Sequence, residues 1–217
     1  NFSEKVLLSN YLPMYFYKPK ITFALKKEDM LSRNIYFCPQ SLFKMHPSFD
    51  EAIKKILHKD KKAQIFFIKD RKEILSKMFF KRLNKIMSEN VDRINFIDRL
   101  TPEEFVHYCG KVSVLLDPFW FGAGNTFHES MLYGTPTVTM PTKYLKSRVV
   151  AGAYKQMQID DAPIFNNIDD YVDKCVELAN QDNLDLKMYY KEQAEKNLFE
   201  NSNVIDDLEK IFKSIVN

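Results

Sequence analysis

LLDPFWFGAGNTFHESMLYGTPTVTM, residues 115–140, carries three of the chain's 5 glycines between two apolar runs. The flanking runs VSVLL (112–116) and TVTM (137–140) read as inner strands. Between them stand Gly122 and Gly124, then Asn125, Thr126 and Glu129, and finally Gly134. A helix is expected from about Asn125 to Tyr133, with Gly134 as the residue just past its end. Asn125 or Thr126 is expected to cap its start.

The same alternation extends outward. NIYFC (34–38), AQIFFI (63–68) and INFI (94–97) read as further strands, and 162–165 as a last short one. Helices are expected between and after them. One follows a Ser48/Glu51 capping box, and one covers 71–89. A third starts at Thr101, where a cap, a first-turn proline (Pro102) and a capping-box acid (Glu104) coincide. Others cover 147–157, 168–180, 184–199 and 204–216. Strands without polar alternation, separated by helices, imply an α/β fold: a parallel, Rossmann-like sheet with helices on both faces. Such sheets bind ligands at the carboxyl ends of their strands. Three loops leaving those ends have distinctive chemistry: 39–47, 98–102 and 117–125. Residues 5–19 are apolar and aromatic without a clear period, and read as an extended connector packed on a surface.

Composition narrows the class. With 217 residues, 45% hydrophobic and 14% aromatic, the chain can build a large core. A net charge of +3, from 32 basic and 29 acidic residues, gives no case for nucleic acid or a membrane surface. No apolar run reaches the ~18 residues of a membrane span. Cys38, Cys109 and Cys175 lie far apart and form no CxxC pair, as expected of buried free thiols in a reducing, cytoplasmic setting.

The glycine turn suits an anion. A helix start presents free backbone N–H groups and partial positive charge. Glycines before it let the backbone come close to a ligand. Glu129, one turn further on, can accept from ribose hydroxyls. An ordinary tight strand–helix turn with an Asn or Thr cap is the competing reading. The GxxxxGK[ST] phosphate loop is absent, and the GxGxxG pattern fails because His128 and Glu129 stand where its last glycine belongs. Lys44, in the loop after the first clear strand, could neutralise a diphosphate or could be a solvated surface lysine. His46, between Met45 and Pro47, reads as structural. No zinc constellation and no Asp-x-Asp triplet occurs. Lysine and helix dipole, rather than magnesium, are therefore expected to meet a diphosphate's charge.

Four pieces, CPQSLFKMHPSFD (38–50), RINFIDRLTPEEF (93–105), the stretch 115–141 and SRVVAGAYKQM (147–157), together resemble the catalytic C-terminal region of protein O-GlcNAc transferases. These include bacterial ones with tetratricopeptide repeats ahead of it. The resemblance implies the C-terminal, donor-binding half of a two-domain GT-B glycosyltransferase with an inverting, metal-independent reaction and no cofactor. It implies that Lys44 contacts the donor diphosphate and stabilises the leaving group. It also places Gly124, Asn125 and Thr126 at the phosphates, Glu129 at the ribose, the backbone of Arg99 and Leu100 at the uracil, and Phe105 under the base; Gly122, in the same turn, is a further substrate-binding candidate.

This sequence departs from the family at several of these points. Ser41 stands where a glutamine is usual near the diphosphate, with Gln40 beside it. GAGNT replaces a histidine and two threonines, and Phe105 replaces a base-stacking histidine. These departures leave open a UDP-sugar other than UDP-N-acetylglucosamine. The domain expectation is a connector or tail of an N-terminal half over 1–30, the donor domain over 31–165, and closing helices over 166–217. The implied partners are a UDP-sugar, a protein or peptide acceptor, and an N-terminal half or repeats upstream of residue 1. Two other readings stand beside this one. They are a GT-B transferase acting on a glycan or small molecule, and a non-catalytic nucleotide-sugar module.

Overall fold

The computed structural model describes residues 3–22 and 24–216. Five strands form one parallel sheet: β1 (Ile35–Cys38), β2 (Gln64–Ile68), β3 (Ile94–Ile97), β4 (Val114–Leu116) and β5 (Thr137–Val138). Their spatial order is β3-β2-β1-β4-β5. Tyr36 is the centre of the register, paired with Ile65 on one side and Val114 on the other.

Eight α-helices accompany the sheet among the described residues. They are α1 (Pro47–Lys59), α2 (Ile74–Met87), α3 (Pro102–Lys111), α4 (Asn125–Ser130), α5 (Val149–Gln156), α6 (Ile168–Asn180), α7 (Leu184–Asn197) and α8 (Asn203–Val216). Successive strand residues enter opposite layers, because side chains alternate across a pleat. Tyr36, Ile65 and Val114 pack with Ile53 of α1, Leu83 of α2 and Tyr171 of α6. Phe37 and Leu115 pack with Val106 of α3, Phe127 of α4, Tyr154 of α5 and Tyr190 of α7. Burial on both faces explains why the strands show no polar alternation. Each large side chain sealed in these layers contributes roughly 1.5–3 kcal/mol.

Several local expectations are corrected. Helix α1 is capped by His46, whose Nδ1 accepts from the Ser48 N–H at 3.2 Å, and not by a Ser48/Glu51 box. The helix expected over 71–89 begins only at Ile74, after Glu73 at φ 53°, and gives way to a 3-10 segment, Ser88–Arg93. Residues 162–165 contribute one isolated bridge, Thr139 to Ile164, rather than a strand. The helix expected over 147–157 is preceded by a 3-10 turn, Leu145–Ser147, and starts at Val149. The Thr101/Glu104 capping box is present with both reciprocal bonds.

Helix α4 stops at Ser130, and bonds such as Tyr133 N–H to Ser130 O (3.2 Å) tighten the chain as far as Gly134. Gly134 has φ 64°, and a Cβ there would lie 1.9 Å from Lys187 O. Conformation and space both require glycine at this point.

Residues ahead of β1 lie along the helices. Asp207 of α8 accepts from Ser9 Oγ (2.6 Å) and Asn10 N–H (2.9 Å). The Phe16 ring stacks on His128 with centroids 4.6 Å apart. All three cysteines are buried and free. No helix among the described residues is long and apolar enough to cross a membrane.

Candidate functional site

In the order β3-β2-β1-β4-β5 the chain reverses its winding direction between β1 and β4. The loops leaving these two strands must diverge, which opens a crevice at their carboxyl ends. The loop after β1 carries Gln40, Ser41 and Lys44, and the turn after β4 carries Gly122 to Thr126. The sheet topology therefore brings together two segments about 80 residues apart in sequence.

The crevice has two lobes. One, of about 660 Å³, is lined by Lys44, Phe121, Gly122, Gly124, Asn125 and Lys146, among others. The other, of about 540 Å³, is lined by Arg71, Arg99, Leu100, Phe105 and Glu129, among others. Gln40, Ser41 and Thr126 line both. Every site residue expected from the sequence lines one lobe or the other. Lys44 and Glu129 lie in different lobes of this one cleft.

A hydrogen-bonded chain crosses the boundary. Lys44 Nζ donates to Gly122 O (3.0 Å) and Gln40 Oε1 (2.8 Å). Gln40 Nε2 donates to Thr126 Oγ1 (2.6 Å). Gln40 is buried, so both ends of its amide are committed to this chain. The half-buried Lys44 ammonium also lies 4.4 Å from the centroid of the Phe121 ring. Burial lowers its pKa, while Asp117 and Cys38 act in the opposite direction.

The Glu129 carboxylate lines the other lobe with no hydrogen-bond partner among the described residues, and burial raises its pKa. The pKa of a carboxylate rises when it loses water without gaining a donor. Such a group is free to accept from a ligand's hydroxyls.

The turn differs from expectation at its helix start. Gly124 occupies the cap position with no side-chain bond, so neither Asn125 nor Thr126 caps α4. Thr126 is engaged by Gln40 instead. A helix of six residues has only a weak dipole, which leaves Lys44 as the main fixed positive charge at this end.

Beneath the turn lies Asp117, which sequence reasoning did not single out. Its Oδ1 accepts from the Ala123 N–H (2.6 Å) and its Oδ2 from Thr139 Oγ1 (2.7 Å). Complete burial pushes its pKa up to about 7, against the opposing pull of Thr139, Ala123 and Lys44. His128 is buried in α4, where its Nδ1–H donates to Gly124 O (3.2 Å) and burial holds its pKa down. It supports the turn from behind and lines neither lobe.

The loop after β2, with Lys69, Asp70 and Arg71, was also missed, although it leaves the carboxyl edge like the others. The strand-end rule that selected the other loops applies equally to this one. Phe121 and Lys146 gave no signal in sequence, because their roles depend on which loops the sheet places side by side.

No protein-family model matches the sequence, and no curated protein matches it. Solved structures do. A lysine-to-methionine mutant of the Thermobaculum terrenum O-GlcNAc transferase matches with a TM-score of 0.78 at 14% identity, over 92% of this chain and 38% of that one. The fold is that of a GT-B glycosyltransferase domain. A TarM mutant from S. aureus, solved with fondaparinux, alpha-GlcNAc-glycerol and UDP, shares this GT-B likeness at TM-score 0.58 and 15% identity, over 97% of this chain and 40% of that one. The C-terminal domain of the glycosyl transferase LpcC from Francisella tularensis matches at TM-score 0.56 and 13% identity, over 86% of this chain and 97% of that one. The chain thus spans about two fifths of the first two proteins and nearly all of the third domain.

Proposed function

We propose that this GT-B domain binds the UDP-sugar donor of an inverting, metal-independent glycosyltransferase. The donor would be UDP-N-acetylglucosamine or a related hexose nucleotide, and the acceptor a serine or threonine of a protein. The observation that carries the reading is a pair of adjoining cavities walled in common by Gln40, Ser41 and Thr126, with Lys44 in one, the unpartnered Glu129 carboxylate in the other, and the Lys44–Gln40–Thr126 hydrogen bonds between them. A half-buried ammonium suits a diphosphate at one end. A free carboxylate suits ribose hydroxyls, and Phe105 with the backbone of Arg99 and Leu100 suits a flat base beyond them.

The chemistry follows from charge. When the glycosidic bond to the β-phosphate breaks, negative charge grows on the departing UDP. A fixed ammonium in a partly dehydrated cleft stabilises that charge more than it stabilises the bound donor. Inversion requires the acceptor hydroxyl to attack from the face opposite the leaving group. The similar structures that extend well beyond this chain favour a second domain as the source of the acceptor site.

Thermal unfolding with UDP, GDP and NAD, each with and without EDTA, tests the reading. UDP is expected to stabilise selectively, by about 2.7 kcal/mol at ~100 times its dissociation constant, and EDTA to have no effect. Lys44→Ala is expected to remove most of that stabilisation while the chain stays folded, its unliganded melting temperature falling by no more than several degrees as Gln40 Oε1 and Gly122 O lose their donor. In the full enzyme it should lower turnover by roughly 10²–10³. Equal stabilisation by all three nucleotides, or loss of the UDP effect with EDTA, would refute the assignment. Labelled UDP-sugars offered with peptide, saccharide and small-molecule acceptors then identify the acceptor class.

A further inference from the structure

Two ammonium groups share one aromatic ring in the larger lobe. Lys44 Nζ lies 4.4 Å from the centroid of Phe121, and Lys146 Nζ lies 5.2 Å from the same point. Both residues line the lobe beside Gly122, Gly124 and Asn125. The backbone of Lys146 is tied to the glycine turn, because the Gly122 N–H donates to Lys146 O at 3.0 Å. Among the described residues neither lysine forms an ion pair. The acid that acts on Lys44, Asp117, is sealed beneath the turn and does not line the lobe.

Two like charges beside one ring, with no acid lining the lobe to offset them, repel each other, and the attraction of the ring's π-system offsets only part of that repulsion. An arriving anion removes it. A diphosphate spreads its charge over two phosphoryl groups, so two ammonium groups on flexible stems complement it better than one.

We infer that Lys146 is a second diphosphate-binding cation, with Phe121 as the platform shared with Lys44. The inference rests on the reading of the cleft as a nucleotide-sugar site. On that reading the lobe is built from three chain segments: the loop after β1, the glycine turn, and the 3-10 strap Leu145–Ser147 that follows β5.

Equilibrium binding of UDP, with uridine as the uncharged comparator followed by ligand-observed NMR, tests it on the chain, Lys146→Ala and Lys146→Arg. Lys146→Ala is expected to weaken UDP roughly five- to tenfold at low ionic strength, as the loss of one charge-assisted contact would. It should leave uridine unchanged. The difference should shrink as salt screens the exposed charge, and Lys146→Arg should restore UDP affinity. The unliganded melting temperature should not move, since Lys146 is exposed. If the unaltered chain prefers UDP to uridine and Lys146→Ala keeps that preference in full, the role of Lys146 is overturned while the donor-site reading stands. Equal losses for UDP and uridine also overturn it. If the unaltered chain shows no preference for UDP over uridine, the donor-site reading fails, and this inference with it.

Discussion

Asp117 is a carboxylate enclosed at the end of an inner strand, held by one backbone N–H and one hydroxyl. Those two donors do not replace the water it loses, and its pKa rises to about 7. The folded chain therefore holds a proton that the unfolded chain, with an ordinary aspartate near ~3.9, has already released. Between about pH 4 and pH 7 the native state binds more protons, so this residue's contribution to stability falls as pH rises and levels off above 7. Asp117→Asn keeps a carbonyl acceptor for the Ala123 N–H and cannot ionise. Its urea unfolding free energy is expected to fall less steeply from pH 5 to pH 7.5 than that of the unaltered chain. Parallel pH profiles would show that Asp117 does not titrate in this range. Nothing in LLDPFW points to this behaviour. It arises because the turn folds back over the aspartate and Thr139, just past the end of β5, reaches it.

At the scale of elements, legibility followed locality. The strands were readable because burial on both faces leaves nearly uninterrupted apolar runs. The Thr101 cap was readable because its partner, Glu104, is three residues away. From sequence His46 reads as structural but not as a cap, since imidazole lies outside the usual capping set. The glycine turn stands out in the sequence, but its two glycines are there for different reasons. A Cβ on Gly122 would lie 2.8 Å from both Asp117 carboxylate oxygens, while one on Gly124 would meet nothing within 4 Å. Gly122→Ala must displace either the carboxylate or the turn whose carbonyl holds Lys44. It is expected to cost about 1–3 kcal/mol, typical of overpacking, and to lower the melting temperature by several degrees along with UDP affinity. Gly124→Ala is expected to leave the melting temperature unchanged and, on the proposed donor-site reading, to weaken UDP binding alone, because its methyl group would stand in the space that reading gives to the phosphates. Calorimetric melting and UDP titration of both variants separate the two roles. Identical behaviour in both assays would show that the turn does not divide its work this way.

At the scale of the whole molecule, one buried lysine joins parts of the chain that are remote in sequence. Lys187 of α7 has no exposed surface. Its Nζ donates to Met30 O (2.9 Å), Gly110 O (2.9 Å) and Val112 O (2.8 Å), one acceptor for each ammonium N–H. These carbonyls belong to the segment ahead of β1 and to the end of α3, so the ammonium fastens both to a C-terminal helix. Burial lowers its pKa to about 8, against the pull of Asp182 and Cys109. The sequence KMYYKEQAEK surrounds it with ordinary solvated lysines, and nothing local marks this one as interior. Lys187→Met fills similar volume but leaves three buried carbonyls without their donor, at roughly 1–3 kcal/mol for each one left unsatisfied. Water entry and relaxation reduce that sum, and a net loss on the order of 3–5 kcal/mol is expected, as when one member of a buried polar set is removed. For a chain of this length that corresponds to a fall of roughly 10 °C in melting temperature. Lys191→Met, one turn further along α7 with its side chain outside this cluster, serves as the comparison and should shift it by less than about 1 °C. Because Lys187 lies in neither lobe of the cleft, UDP affinity measured well below the lowered midpoint should be unchanged. A Lys187→Met melting temperature within 2 °C of the unaltered chain, on the order of 1 kcal/mol or less, would mean that the three carbonyls find other donors and that α7 is held by its apolar face alone.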